Sequence, residues 1–321
     1  MKYESNNAKE LHKERKFNYD RINKYQKKYL DPNTGSWKTK YTVKRPCPVC
    51  SSTVSNLCLS KSGGSYHKCS KCSMIFTNPV FNDESLTEYY TYLDTGQGEI
   101  VENESSFYRE IYSKGLFSIE RIKDKGLILD VGCSTGFFLD IAKENQWQTF
   151  GLELGLEEAK VAADKGHDIV TCTVDKTKFK EKFDAITLWD VFEHIPDPHT
   201  YLKQLSRILK KDGIIFMQIP NSGALAPRIL QEKCNMFDGL EHCNLYNKET
   251  IEYVTKKNGF NLESIESVIS EISVLNNYVN YEQPYFGSAK SNILLSGLID
   301  EDSIHKNFLG YKLQVIIRNK N

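Results

Sequence analysis

Apolar positions fall in two rhythms along this chain. From residue 127 onward, short and nearly continuous apolar runs alternate with segments in which apolar residues recur every three or four positions. That alternation is the pattern of strands buried on both faces of a parallel sheet and joined by crossover helices. It predicts strands at 127–131, 149–153, 168–172, 184–189, 213–219, about 261–269 and 311–318, with helices over 137–145, 156–165, 197–210 and 248–258. Upstream, Phe107, Ile111, Leu116, Ile119 and Ile122 make the apolar side of a helix over 106–123. Leu86, Tyr89 and Tyr90 share a helical face behind an Asp83 N-cap. Two long connections, 221–244 and 277–302, follow strands of the expected sheet, where an open α/β sheet places its ligand crevice. Long loops in a compact domain are usually functional, so both are expected to form a substrate lid. The first 46 residues lack a steady period and suggest only a helix within 8–29, docking Leu11, Ile22 and Tyr25.

Composition adds a charge asymmetry. The 321 residues balance to zero net charge, yet residues 1–46 hold 13 Lys/Arg against 5 Asp/Glu. Such an excess either attracts a polyanion, RNA or anionic lipid, or marks a solvated extension. No apolar run is long enough to span a bilayer, and the polar N-terminus is unlike a secretion signal, which points to the cytoplasm. Nine cysteines are many for that compartment, but four of them form a pattern. The other five, Cys58, Cys133, Cys172, Cys234 and Cys243, read as reduced small side chains.

The pattern is Cys47-Pro-Val-Cys50 followed, after 18 residues, by Cys69-Ser-Lys-Cys72. Two Cys-x2-Cys knuckles at this separation have the spacing of a four-thiolate zinc site. Four thiolates fill a tetrahedral ion, so the zinc would be structural, folding residues 47–80 into a ribbon too small for a core of its own. His67 is an alternative fourth ligand to Cys69, although it also fits an ordinary strand position. Residues 81–125 then form a helical arm, and 126–321 the α/β domain.

Chemistry concentrates at residues 127–138. A buried strand runs into a turn from Gly132 to Gly136 and on into a helix, the nucleotide-cradling unit of doubly wound proteins. Asp130 stands directly before the first glycine, and the spacing is Gly-x-x-x-Gly. A carboxylate there repels a pyrophosphate but accepts from an ammonium group or ordered water, which favours a cationic nucleoside such as S-adenosylmethionine (SAM). Glu153, ending the next apolar run, is placed to grip a ribose diol.

Asp130-Val-Gly-Cys-Ser-Thr-Gly136 resembles the first motif of class I SAM-dependent methyltransferases. The run from Phe183 through Trp189-Asp-Val-Phe-Glu-His194 to Pro198 resembles their fourth-strand motif, and Leu209-Lys-Lys-Asp-Gly213 their turn into strand five. The resemblance covers about 114–318 and keeps the family's order and spacing. It implies a Rossmann-like, seven-stranded, doubly wound α/β sheet whose last strand inserts antiparallel between strands five and six. It also implies SAM contacts from Asp130, Gly132, Cys133, Ser134, Gly136, Phe137 and Glu153. Trp189 would form a pocket wall, with Phe138 packing on the sheet or bordering the cofactor, and the acidic loop 93–104 would cover the cofactor mouth. Tyr108 and Arg109 are within reach of the SAM carboxylate, and Asp175 is a weaker candidate for the adenine amine.

Methyl transfer to a hydroxyl needs alignment and a base. His194 occupies the place of the base in some small-molecule methyltransferases, and Asp190 positions substrate or orders water. Glu241-His242-Cys-Asn-Leu-Tyr246 resembles the family's His-containing turn, offering His242 as a second base. His167, His199 and His305 are expected at the surface. The ribbon, an Asn-Pro turn and a Tyr-Tyr helix resemble a bacterial group that modifies sugars for polysaccharides or natural products. The acceptor is therefore expected to be a sugar or nucleotide-sugar hydroxyl. C-methylation of a nucleotide-linked keto-sugar, RNA methylation and a SAM-binding scaffold are the rivals. The chain stops soon after the seventh predicted strand, without the further domain of longer C-methylating members, which weighs toward the hydroxyl.

Overall fold

The structure, a computed structural model, describes residues 22–92, 105–279, 285 and 298–320; the predicted loop 93–104 and most of 277–302 lie outside them. Residues 22–46 are not a solvated extension. Tyr29 and Trp37 are buried against Phe81, Tyr89 and Leu240, and Tyr29 meets the rings of Tyr25, Tyr41, Phe81 and Tyr89 at 4.9–6.1 Å. Burying each such ring stabilises the segment by about 1.5–3 kcal/mol. Several of its cations serve the fold. Lys28 lies over Tyr25 and Tyr29 and pairs with Glu88. The Arg45 guanidinium donates to the backbone carbonyls of Thr77, Pro196 and Cys243.

Strand β1 (Thr42–Val43) pairs antiparallel with β5 (Val80–Phe81). Between them, β2 (Ser55–Lys61), β3 (Gly64–Cys69) and β4 (Ile75–Thr77) form the ribbon. Two knuckles hold its cysteines: Ser51 N donates to Cys47 O and Ser73 N to Cys69 O, both serines lying in left-handed backbone at φ +62°. Helices α1 (Asp83–Tyr92) and α2 (Ser105–Glu120) follow.

The main sheet comprises β6 (Leu127–Val131), β7 (Gln148–Leu152), β8 (Asp168–Val170), β9 (Phe183–Trp189), β10 (Leu209–Pro220), β12 (Phe260–Val268) and β13 (Lys312–Asn319). Its order is β12-β13-β10-β9-β6-β7-β8, with β13 antiparallel to both neighbours, as the family resemblance implies. Every residue of β9 is buried, which is why it reads as a mostly apolar run despite Asp184 and Thr187. Edge strand β8 is shorter than predicted and alternates in exposure.

Crossovers are supplied by α3 (Phe137–Glu144), α4 (Leu156–Asp164) and α5 (Pro198–Ile208), with α6 (Leu225–Leu230) after β10 and α7 (Lys248–Lys257) before β12. Asp197 caps α5 by accepting from His199 N and Thr200 N, and an Asn247–Thr250 capping box starts α7. Helices α8 (Ile272–Val279) and α9 (Glu301–Lys306) stand outside the sheet.

The ribbon is joined to the rest of the chain through its sheet. Strand β11 (Asn244–Leu245), from the predicted lid, completes its sheet in the order β11-β4-β3-β2. Gly239 N donates to Tyr66 OH and Trp37 Nε1 to Gly239 O, tying lid, ribbon and N-terminal segment together. A Cβ on Gly64 would collide with the Gly239 carbonyl, so this approach requires glycine. No helix among the described residues is long and apolar enough to cross a membrane.

Candidate active site

The cofactor end is built where β6 turns into α3. Gly132 and Gly136 take φ of +75° and +80°, and a Cβ on Gly132 would meet Val191 at 2.7 Å. Gly132 N and Cys133 N donate to Leu152 O, and the Glu153 carboxylate accepts from Ser134 N and Gly155 N at 2.8 Å. The ends of β6 and β7 are thereby locked together. Asp130 is 2% exposed and accepts from Thr187 Oγ1 at 2.7 Å; burial pushes its carboxyl up to about 8. Ser134 Oγ, Thr135 Oγ1 and Trp189 Nε1 are buried with no hydrogen-bond partner. Trp189 packs on Tyr112, Phe138 and Phe216 at 4.5–5.2 Å.

Buried carboxyls, unpartnered hydroxyls and an aromatic wall are a donor–acceptor set suited to a cationic nucleoside, and they fit SAM. Phe137 is buried beside Tyr112, and Tyr108 is partly buried. Arg109 is not turned to this cleft: it is exposed, pairs with Glu144 at 2.8 Å and covers the Phe137 ring. Asp175 is exposed in a short turn over Val174–Lys176.

The acceptor end follows β9. Asp190 sits at φ +55°, a conformation that turns the chain sharply off the strand. Lys312 Nζ donates to its carboxylate at 2.7 Å and Gln218 Nε2 at 3.2 Å, while Gln314 Nε2 holds Gln218 from behind. The next turn carries Glu193 and His194. His194 Nδ1 lies 2.6 Å from Tyr90 OH, and its ring meets His242 edge-on at 5.1 Å. Burial, then the neighbouring His242 and Lys312, hold His194 well below its ordinary range, so it is neutral.

His242 Nδ1 donates to Met236 O at 2.9 Å and lies 3.3 Å from Asp238 Oδ2, leaving Nε2 with its lone pair. Asp238 Oδ1 also accepts from the backbone N–H groups of Leu240, Glu241 and His242, so one carboxylate shapes the whole loop. Tyr89 OH donates to Glu241 Oε1 at 2.6 Å, and Gln26 Nε2 donates to Tyr89 OH at 3.0 Å. Burial and Asp238 push Glu241 up to about 7, against the lowering effect of the Tyr89 hydrogen bond.

The four predicted thiols converge: Cys47 and Cys72 Sγ are 3.6 Å apart, Cys50 and Cys69 Sγ 3.5 Å, and all four lie within 4.8 Å of one another. That donor set fits a tetrahedral zinc ion. His67 is outside it, with Nδ1 3.3 Å from Ser55 Oγ. The remaining histidines are less exposed than expected. His167 is buried and bonded to Asp140, His199 is part-buried against Val49 O of the ribbon, and His305 is part-buried near Ser267. They read as surface residues because nothing local marks their distant partners. Tyr90, Glu193, Asp238 and Lys312 are the site groups that sequence reasoning missed. A paired tyrosine and a lysine opening an apolar strand were the only signals. A separate cleft of about 430 Å³, lined by Lys68, Ser73, Arg228 and Phe237 among others, holds none of these groups.

An acid–glycine turn at the first strand of a seven-stranded sheet, with the last strand inserted antiparallel, defines the Rossmann-like methyltransferase fold. The chain belongs to the methyltransferase-domain family, which it matches over residues 103–265, just over half its length. It is similar to an uncharacterized protein of Methanocaldococcus jannaschii, 32% identical over 139 residues, 42% of this chain and 52% of that protein. It also resembles the ubiquinone biosynthesis O-methyltransferase of Yersinia enterocolitica, 30% identical over 104 residues, 29% of this chain and 42% of the relative. The C-methyltransferase NovU of Streptomyces niveus is 25% identical over 182 residues, 54% of this chain and 40% of that one. The match thus spans about half or less of these relatives' own length. The plantazolicin methyltransferase BpumL, solved with a triazolic desmethylPZN analog and SAH, shares the fold, with a TM-score of 0.50 at 15% identity over 74% of this chain and 95% of that one.

Proposed function

We propose that the protein transfers a methyl group from SAM to a hydroxyl of a sugar, nucleotide-sugar or similar small polar metabolite. The observation that carries this reading is the edge-on contact of the His194 and His242 rings at 5.1 Å, just past Asp190 at the end of β9, the strand that pairs with β6. SAM, when bound, supplies the electrophilic methyl. Asp130, Glu153, Ser134 and Trp189 hold and orient it, and the Trp189 aromatic wall keeps water from the reacting centre.

His242 takes the acceptor's proton at Nε2, because the Met236 carbonyl fixes the opposite nitrogen as the donor. Asp238, 3.3 Å from Nδ1, stabilises the imidazolium that results. His194, held by Tyr90, stays neutral and aligns the acceptor. Asp190 with Lys312 forms a fixed polar wall between cofactor and acceptor. Cys47, Cys50, Cys69 and Cys72 hold a structural zinc whose ribbon steadies the His242 loop through β11.

A second reading, C-methylation of a nucleotide-linked keto-sugar, is favoured by the likeness to NovU; the same imidazole would remove a proton from carbon. RNA methylation has less behind it, since Lys28 is engaged by two tyrosine rings and Glu88, and Arg45 by backbone carbonyls of the fold. Turnover of labelled SAM with a nucleotide-sugar pool, but not with bulk RNA, is the expected result. His242→Ala should lower kcat by about 10²–10⁴ with the SAM Kd unchanged; wild-type kcat in that variant would remove the base from this reading.

A further inference from the structure

We propose that Glu193, His194 and His242 form a binding site for a divalent transition-metal ion at the acceptor end, and that filling it excludes deprotonation of the acceptor. The proposal goes beyond methyl transfer, in which these groups act without a metal. One ligand atom from each of the three residues lies within 4.8 Å of the other two, and all three side chains are buried or nearly so.

Two independent features point to a cation. The first is Glu193. It is wholly buried, neither carboxylate oxygen has a hydrogen-bond partner, and His194 Nε2 stands 4.0 Å from its Oε1. A buried carboxylate that accepts from nothing requires either a proton or a positive ion beside it. The second is the way the imidazoles are held. His242 spends Nδ1 on the Met236 carbonyl, and His194 has Nδ1 against Tyr90 OH. Metal-binding histidines are typically gripped in this way at the nitrogen that does not bind.

The surrounding charge agrees. Asp190, Asp238 and Glu241 stand close by, and the facing cation Lys312 is already engaged by Asp190. Two imidazoles and one carboxylate suit Zn2+, Co2+, Ni2+ or Fe2+ rather than Mg2+ or Ca2+, which prefer all-oxygen cages. The exclusion follows because the His242 Nε2 lone pair that would accept the acceptor's proton is the one an ion would take.

The test uses the full chain with one equivalent of zinc in the ribbon, titrated with Co2+. The expected result is a second equivalent giving visible d–d absorption without the near-ultraviolet thiolate-to-cobalt band that marks cysteine ligation. Glu193→Gln, a change of one atom, and His242→Ala should each abolish that absorption, whereas Tyr90→Phe, which keeps all three ligands, should retain it. Methyl transfer by the wild type should fall in step with occupancy. No second equivalent, a spectrum dominated by the thiolate band, or absorption that survives both ligand variants would overturn the site. Turnover that rises with occupancy would overturn the exclusion. Because the spectrum is read without turnover, a protein that binds cobalt but never consumes SAM would defeat the methyltransferase reading and leave the metal site standing.

Discussion

In the proposed site, Asp130 is the residue at which protonation and cofactor binding would meet. In the ligand-free protein, burial lifts its carboxyl from 3.8 to about 8, and the Glu153 charge adds to the lift, while Thr187 opposes it. A cationic donor favours the ionised form, so binding should release a proton. SAM affinity should therefore rise with pH, by up to about tenfold per unit below pH 8, and flatten above it. Calorimetry in buffers of different ionisation heat measures that release, and Asp130→Asn should abolish both it and the slope. A slope unchanged in Asp130→Asn would place the titrating group elsewhere. The same shift acts on stability. A raised folded-state value means the contribution is complete below 3.8 and is lost as pH climbs through about 8; Glu241 behaves alike between 4.5 and about 7. The ligand-free protein should thus unfold at lower denaturant at pH 9 than at pH 6, and Asp130→Asn should narrow that gap.

At the scale of elements, the ribbon matters for the strand it pairs with. Asn244 and Leu245 pair with Phe76 and Ile75, directly after the loop that carries His242. Arg45 reinforces this junction by donating to Cys243 O and the Asn244 side chain. A zinc ion held by the four thiolates would contribute folding free energy outright, so its removal should not stay local. Chelation, or Cys47→Ser with Cys50→Ser, should raise amide exchange across β4, β11 and residues 236–243 at least tenfold, while β6 and β9 keep their protection. Acceptor turnover should fall more than SAM affinity. Unchanged exchange at Asn244 and Leu245 would show that the ribbon and the base are uncoupled. The capping box at α7 gives a smaller, separable effect: Asn247→Ala should cost about 1 kcal/mol in chemical unfolding.

Across the whole molecule, what could be read from the sequence was whatever repeats locally. Strands β6 and β9 are mostly apolar runs, broken only by Asp130 in the first and by Asp184 and Thr187 in the second, and the turn at Gly132 is written in consecutive residues. What could not be read were pairings between distant letters: Lys312 reaches Asp190 across 122 positions, and Trp37 reaches Gly239 across 202. Residues 22–46 escaped for the same reason. Tyr25, Tyr29, Trp37 and Tyr41 lie on no one continuous helix or strand, and bury themselves on one another and on α1. That packing leads to the active site through a single chain of donors. Gln26, 5% exposed, donates to Tyr89, which donates to Glu241, the neighbour of His242. One hydrogen-bond chain therefore crosses the N-terminal segment, α1 and the His242 loop. Gln26→Leu keeps most of the side chain's bulk and removes the amide with its hydrogen bond to Tyr89, a loss of about 0.5–1.5 kcal/mol. If the chain positions the loop, kcat for the acceptor should fall about three- to tenfold with SAM affinity intact, and the acid limb of the pH–rate profile, where Glu241 titrates, should move. A purely structural role for Gln26 would lower the unfolding midpoint and leave that limb where it is.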